Sequence, residues 1–249
     1  MAQVALISGA SSGIGRATAL RFAREGWQVG LLARREALLR ELLNELPPGD
    51  HFLCAGDYAD PAVIRRLAEI IREKWGKLDA LVNCAGVFQT ANVIADPLEE
   101  WRVSFDTMVN GALHLSRLAA NWMTAGGRII HITSIHGERA ERGASAYSMA
   151  KAAINQLCRA LALELADRGI LVNAIAPGFV DTPMSVVNGV NELESEWFRR
   201  NYIEGHHLPL RRAAQPEEIA GVAYFLAGPD ATYITGQVIT VDGGLTITF

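Results

Sequence analysis

Cysteine is scarce. Cys54, Cys84 and Cys158 are odd in number and widely spaced in 249 residues, which excludes a disulfide framework. Each sits among apolar residues, so they read as free thiols, and a reducing, cytoplasmic setting is expected. Long basic runs are missing too, and a net charge of −4 gives no general attraction to phosphate backbones or anionic lipid. Neither nucleic acid nor membrane is expected as a partner. The chain passes from Met1-Ala2-Gln3 straight into a short apolar run with no basic leader, so no targeting segment is expected. His51, His114, His131 and His136 are scattered, and His206 and His207 are adjacent rather than on one helical face, so no metal site is expected.

Half of the residues are hydrophobic, enough to fill the core of one α/β domain over residues 1–249. Apolar runs recur at Val4–Ser8, Val29–Ala33, His51–Ala55, Ala80–Cys84, Arg128–Thr133, Leu171–Ala176 and Val238–Val241. They are continuous rather than alternating, as strands buried on both faces must be. Helically spaced stretches separate them: Gly13–Arg24, Arg35–Leu46, Pro61–Trp75, Leu98–Thr124, Ala144–Arg168 and Pro216–Ala227. The alternation predicts a Rossmann-like, doubly wound parallel sheet of about seven strands with helices on both faces. One long interruption, about 178–207, carries Met184, Trp197, Phe198 and Tyr202; loops of that length are commonly lids at the ligand-binding sheet edge.

Gly9, Ser11, Ser12, Gly13, Ile14 and Gly15 form a glycine-rich turn between the first strand and the first helix. Small residues there admit a pyrophosphate to unpaired amides and the positive helix end. The second strand ends at Ala33-Arg34-Arg35, with no carboxylate to take ribose hydroxyls. A guanidinium can hold a 2′-phosphate instead, which predicts NADP(H) in preference to NAD(H), with Arg34 as the main contact and Arg35 beside it. Tyr147 and Lys151 stand four apart on one helix, one face, and Ser134 follows the fifth strand. A cation about 5 Å from a phenol contributes on the order of 3 kcal/mol at an effective dielectric near 20, about two pH units. Tyr147 is thereby expected to become a usable acid or base, with Ser134 holding the substrate oxygen.

Taken together, Ser8–Gly15, Asn83-Cys84-Ala85-Gly86, Asn110, Ser134, Tyr147-x-x-x-Lys151 and Pro177-Gly178 resemble the short-chain dehydrogenase/reductase family, in its order and across almost the whole chain. The resemblance implies that Asn83 fixes the glycine turn, that Asp57 contacts adenine, and that Ala85 and Gly86 border the nucleotide. It implies that Asn110 holds a water beside Lys151, completing a Ser-Tyr-Lys-Asn relay. Lys151 would also bind the nicotinamide ribose, and Thr182 with the backbone after Pro177-Gly178, Val180 included, the carboxamide end. Ser8 stands where threonine is usual, and Cys84 where a second asparagine is common. The implied reaction is hydride transfer between NADPH and a carbonyl or secondary alcohol.

Phe88, His136, Met184 and Trp197 are candidate substrate contacts. A 3-oxoacyl thioester reductase and a sugar or polyol dehydrogenase are alternative activities; Arg199, Arg200, Arg211 and Arg212 leave open a basic patch for an acidic carrier. A nucleotide-sensing protein without turnover is the alternative of another class. Apolar excess on the helices bearing Leu113–Trp122 and Ala150–Leu165 points to a two-fold helical interface, and the resemblance to a homotetramer with Leu245–Phe249 in a second contact.

Overall fold

The computed structural model describes residues 2–88, 93, 94, 96–187 and 189–248. Seven strands form one parallel sheet: β1 (Val4–Ser8), β2 (Gln28–Ala33), β3 (Phe52–Ala55), β4 (Ala80–Asn83), β5 (Arg128–Ile132), β6 (Leu171–Pro177) and, after a two-residue hairpin of β7 (Val186–Val187) and β8 (Val190–Asn191), β9 (Val238–Val241). Their order is β3-β2-β1-β4-β5-β6-β9. The chain runs outward from β1 in one direction, then returns to start again at β4, and the crevice at this reversal is where open α/β sheets bind ligands.

Between the strands run α1 (Gly13–Arg24), α2 (Glu36–Glu45), α3 (Pro61–Lys74), α4 (Leu98–Ser104), α5 (Gly111–Trp122), α6 (Ser145–Glu164), α7 (Glu196–Phe198) and α8 (Pro216–Ala227). The predicted elements match to within a residue or two at most ends. The stretch expected as one helix from Leu98 is broken instead into α4, a π-helical turn at Phe105–Asn110, and α5.

Strand residues alternate between two cores. Ala5, Ile7, Leu31, Val82 and Ile130 face Phe22, Leu39, Ile219 and Leu226 of α1, α2 and α8. Leu6, Leu32, Leu81, Ile129 and Val172 face Leu67, Ile71, Leu115 and Cys158 of α3, α5 and α6. Each fully buried Leu or Ile contributes roughly 1.5–3 kcal/mol. This two-sided burial explains the unbroken apolar strand runs and fixes the carboxyl ends of β1, β4, β5 and β6 as a rigid rim. Asp60 accepts a hydrogen bond from the Ala62 amide at 2.8 Å and caps α3, whose first residue is proline.

Candidate active site

Two cavities open at that rim. The first, about 230 Å³, is bordered by Gly9, Ser11, Ser12, Gly13, Ile14 and Gly15, by Arg34, Arg35 and Asp57, and by Ala85 and Gly86. Gly9 and Gly13 hold positive φ angles of 66° and 51°, which side-chain-bearing residues adopt only with strain. A Cβ on Gly9 would lie 2.9 Å from Ala85 Cα, and one on Gly15 only 2.3 Å from the Gly9 carbonyl oxygen. Glycine at 9 lets the turn close on the backbone just after β4, and glycine at 15 lets the first turn of α1 lie against Gly9. Asn83 does not line the cavity but braces it: Ser8 Oγ donates to Asn83 Oδ1 at 2.5 Å and accepts from the Ala85 amide at 3.2 Å. Serine therefore serves where threonine is usual. The Arg35 guanidinium spans the mouth, donating to Ser11 Oγ at 2.9 Å and Ser12 Oγ at 2.6 Å. Arg34 lies on the same border, so the pair forms the cationic edge jointly.

The second cavity, about 710 Å³, adjoins the first and is lined by Ser134, Tyr147 and Lys151, by Pro177, Gly178, Val180 and Thr182, and by Phe88, His136, Met184 and Trp197. Ser134 leaves the end of β5, Tyr147 and Lys151 lie on the first turns of α6, and the loop after β6 closes the far side. Lys151 is buried, and its ammonium donates to the Ile132 carbonyl at 2.9 Å and sits 5.5 Å from the centre of the Tyr147 ring. The charged stretch 138–142 reads in the sequence as a solvated loop rather than a recognition patch, yet its Glu141 lines this cavity together with Glu192 and Phe179, for which the sequence gives no individual signal.

The electrostatics differ from the expectation. Burial pushes the Tyr147 phenol up to about 12, and its hydrogen bond with Ser134 offsets only part of this. Burial pushes Lys151 down to about 8. The expected two-unit depression of Tyr147 assumed a half-solvated pair; here removing the phenolate from water dominates, and the cause that works against it is the Ser134 hydrogen bond. The free protein thus holds the phenol as a protonated acid.

Asn110 is not in the site. It is exposed, lines neither cavity, and donates to Asp106 Oδ1 at 3.0 Å. Met108, fully buried, takes the inward face: a Cβ on Gly86 would meet Lys151 Nζ at 3.5 Å and Met108 Sδ at 3.7 Å. Two helical positions differ by roughly 200°, so a side chain two residues past an inward one faces away. Of the four residues of the relay implied by resemblance, the structure brings Ser134, Tyr147 and Lys151 together and leaves Asn110 outside.

Beneath the site Asn83 Nδ2 and His131 Nδ1 lie 3.4 Å apart, and His131 Nε2 is 3.3 Å from Ser116 Oγ, all buried. Burial holds His131 down at about 4, so it is a neutral brace. Among the described residues no group of histidine, cysteine or carboxylate side chains could hold a metal ion, and no helix is long and apolar enough to cross a membrane.

The family described as enoyl-(acyl carrier protein) reductase matches residues 9–246. A 3-oxoacyl-[acyl-carrier-protein] reductase of Thermotoga maritima is 35% identical over 249 residues, covering 98% of both chains. A glucose 1-dehydrogenase of Gluconobacter oxydans is 39% identical over 251 residues, 97% of this chain and 91% of that one. A crystal structure of an actinorhodin polyketide ketoreductase variant with NADPH superposes with a TM-score of 0.87 at 32% identity, covering 98% of this chain and 97% of that one.

Proposed function

Because the chain belongs to the short-chain dehydrogenase/reductase family and is an oxidoreductase, we propose that it is NADP(H)-linked and interconverts a carbonyl and a secondary alcohol, with Tyr147 as the proton-transferring group. The observation that carries this reading is one cavity wall holding a protonated, Ser134-bonded Tyr147 beside Lys151, open to a glycine cradle edged by Arg34 and Arg35. When bound, the nicotinamide supplies the hydride. Gly9–Gly15 admit the pyrophosphate, Arg34, Arg35 and Ser11 meet the 2′-phosphate, and Asp57, Ala85 and Gly86 border the adenosine half. Thr182 and the backbone of Gly178–Val180 face the carboxamide end, and Lys151 the ribose. Ser134 orients the substrate oxygen, and Tyr147 gives it a proton as charge develops there.

The cofactor preference is tested by titrating NADPH and NADH against the wild type and an Arg34→Ala/Arg35→Ala double variant. Two charge-assisted contacts are worth about 1.5–3 kcal/mol each, so the NADPH Kd is expected to rise about a hundredfold or more while the NADH Kd moves little. Tighter binding of NADH by the wild type would overturn the assignment.

For carbonyl reduction, the pH profile of kcat/KM should be flat through neutrality and descend above about 8. The sign follows from Lys151, charged below about 8 and neutral above it, while Tyr147 stays protonated up to about 12. Asn110→Ala should retrace the wild-type profile within about twofold, as exposed substitutions do. A plateau persisting to pH 10, or a large loss in Asn110→Ala, would count against this arrangement.

Self-association through α5 and α6 is part of the proposal. Leu115, Leu118 and Ala119 turn into the core, but Leu113, Met149 and Leu163 remain exposed, Leu163 by 82%. In the tail Ile247 is exposed, and Phe249 lies outside the described residues. Isolated monomers in sedimentation at micromolar concentration would refute a dimer or tetramer. A cytoplasmic location is kept as part of the same reading.

A further inference from the structure

The substrate cavity holds a pair of side chains that the proton chemistry does not use. His136 Nε2 lies 3.2 Å from a Glu141 carboxylate oxygen, and the His136 ring packs edge-on to Tyr147 with centroids 5.7 Å apart. Both residues line the cavity that holds Ser134 and Tyr147. With Nε2–H donating to it, the carboxylate is fixed in direction and keeps acceptor sites for a further donor. Glu141 borders the cavity with about half of its side-chain surface still exposed, so a ligand can reach it. Most of the surrounding wall is apolar or aromatic: Phe88, Phe179, Val187, Trp197, Phe198 and Tyr202. An anchored acceptor in such a wall suits a carbon skeleton bearing hydroxyl groups, with C–H faces on the rings and an O–H on the carboxylate.

Charge points the same way. Glu192 adds a second carboxylate to the lining, and the one lysine or arginine among the described lining residues is the buried Lys151. The arginines that could have welcomed an acidic carrier are engaged within the chain. Arg199 is paired with Glu204, Arg200 with Glu196 at 2.6 Å, and Arg212 with Glu218 at 2.6 Å, while Arg211 lies 2.9 Å from His206 Nδ1. A thioester on a phosphate-bearing carrier or coenzyme would bring negative charge to a carboxylate-lined mouth, and like charges disfavour that approach.

We propose that Glu141, held by His136, reads a hydroxyl group on the carbon chain next to the reacting carbonyl, so that this enzyme acts on uncharged hydroxycarbonyl compounds and their polyols rather than on acyl thioesters. Glu141 is the specificity-determining residue and His136 its positioning residue. This inference rests on the NADP(H)-linked carbonyl chemistry proposed above. In the reaction one hydride from NADPH forms the C–H bond, the carbonyl π bond breaks, Tyr147 protonates the oxygen and regains its proton from solvent, and NADP+ and a diol result.

The test compares kcat/KM with NADPH for 1-hydroxy-2-butanone, for 2-butanone and for acetoacetyl-coenzyme A, in the wild type, Glu141→Leu and Glu141→Gln. A hydrogen bond to a charged acceptor is worth about tenfold to a hundredfold. The wild type is expected to favour the hydroxyketone over the ketone by about tenfold or more and to use the thioester poorly. In Glu141→Leu that ratio should fall toward one, and in Glu141→Gln it should lie between. His136→Phe should lower the ratio too, with His136→Gln restoring part of it. A ratio unmoved by Glu141→Leu, or a wild-type preference for the thioester, overturns the inference while ketone reduction with NADPH leaves the carbonyl chemistry standing. If the wild type reduces none of the three although NADPH binds, the carbonyl reading itself falls and the inference with it.

Discussion

Tyr147→Phe is expected to lower kcat/KM for carbonyl reduction by about three orders of magnitude while leaving the NADPH Kd within about threefold. The variant removes one oxygen and keeps the ring that packs against Phe88 at 5.1 Å and His136 at 5.7 Å, so the cavity wall should persist. General acid catalysis contributes typically 10²- to 10⁴-fold, and burial makes loss of this group costly because water has poor access to replace it. The phenol sits at about 12 in the free protein, so the acid is fully protonated at neutral pH and the reductive direction needs no prior ionisation. Alcohol oxidation needs the phenolate, and its rate should climb with pH over the range where reduction is flat. Stopped-flow hydride transfer on the variant, with binding read by nucleotide fluorescence, separates a lost proton donor from a lost site. Undiminished turnover in Tyr147→Phe would end the mechanism proposed for this chain.

Gly15→Ala should abolish measurable nucleotide binding, raising the Kd by more than a hundredfold. The new methyl would stand 2.3 Å from the Gly9 oxygen and 2.6 Å from the Gly9 carbonyl carbon, both backbone atoms that no rotamer change can move. Relief requires pushing the first turn of α1 away from Gly9, which pulls apart the amides that line the cradle. Overpacking of this kind costs typically 1–3 kcal/mol, or a drop in Tm of several degrees for a chain of this size. Gly76→Ala is the control: Gly76, unlike the helical Gly15, has a positive φ, at 64°, and no atom lies within 4 Å of its missing Cβ. It should lose about 1 kcal/mol to backbone strain and bind nucleotide normally. Equal loss of binding in both variants would show that general destabilisation, rather than the cradle, is responsible.

Much of this site is local, and so it is legible in the amino-acid sequence. The glycine turn lies between β1 and α1 within eight residues, and the four-residue spacing of Tyr147 and Lys151 puts them on one face of any α-helix. The apolar strand runs require cover on both faces, which implies the doubly wound sheet observed. These features depend on periodicity and backbone sterics, which the sequence carries position by position.

Other features depend on what lies across space. A π turn at Phe105–Asn110 fits no simple repeat, and only packing with Tyr147, Ala150 and Ile154 sets Met108 inward and Asn110 outward. The acidity of Tyr147 cannot be read from spacing, which gives the distance to a charge but not the cost of losing water, and here that cost sets the direction of the shift. Arg199, Arg200, Arg211 and Arg212 find partners four to six residues away, as His136 does in Glu141, but only the fold brings the His136–Glu141 pair to the wall of the cavity that holds Tyr147. By itself the sequence determined the sheet, the cradle and the phenol-ammonium pair, since each is enforced by neighbours a few residues away. Tertiary structure alone decided which amide is excluded, which carboxylate borders the substrate cavity and how acidic the phenol is, because burial and contacts across the fold are encoded by no local pattern.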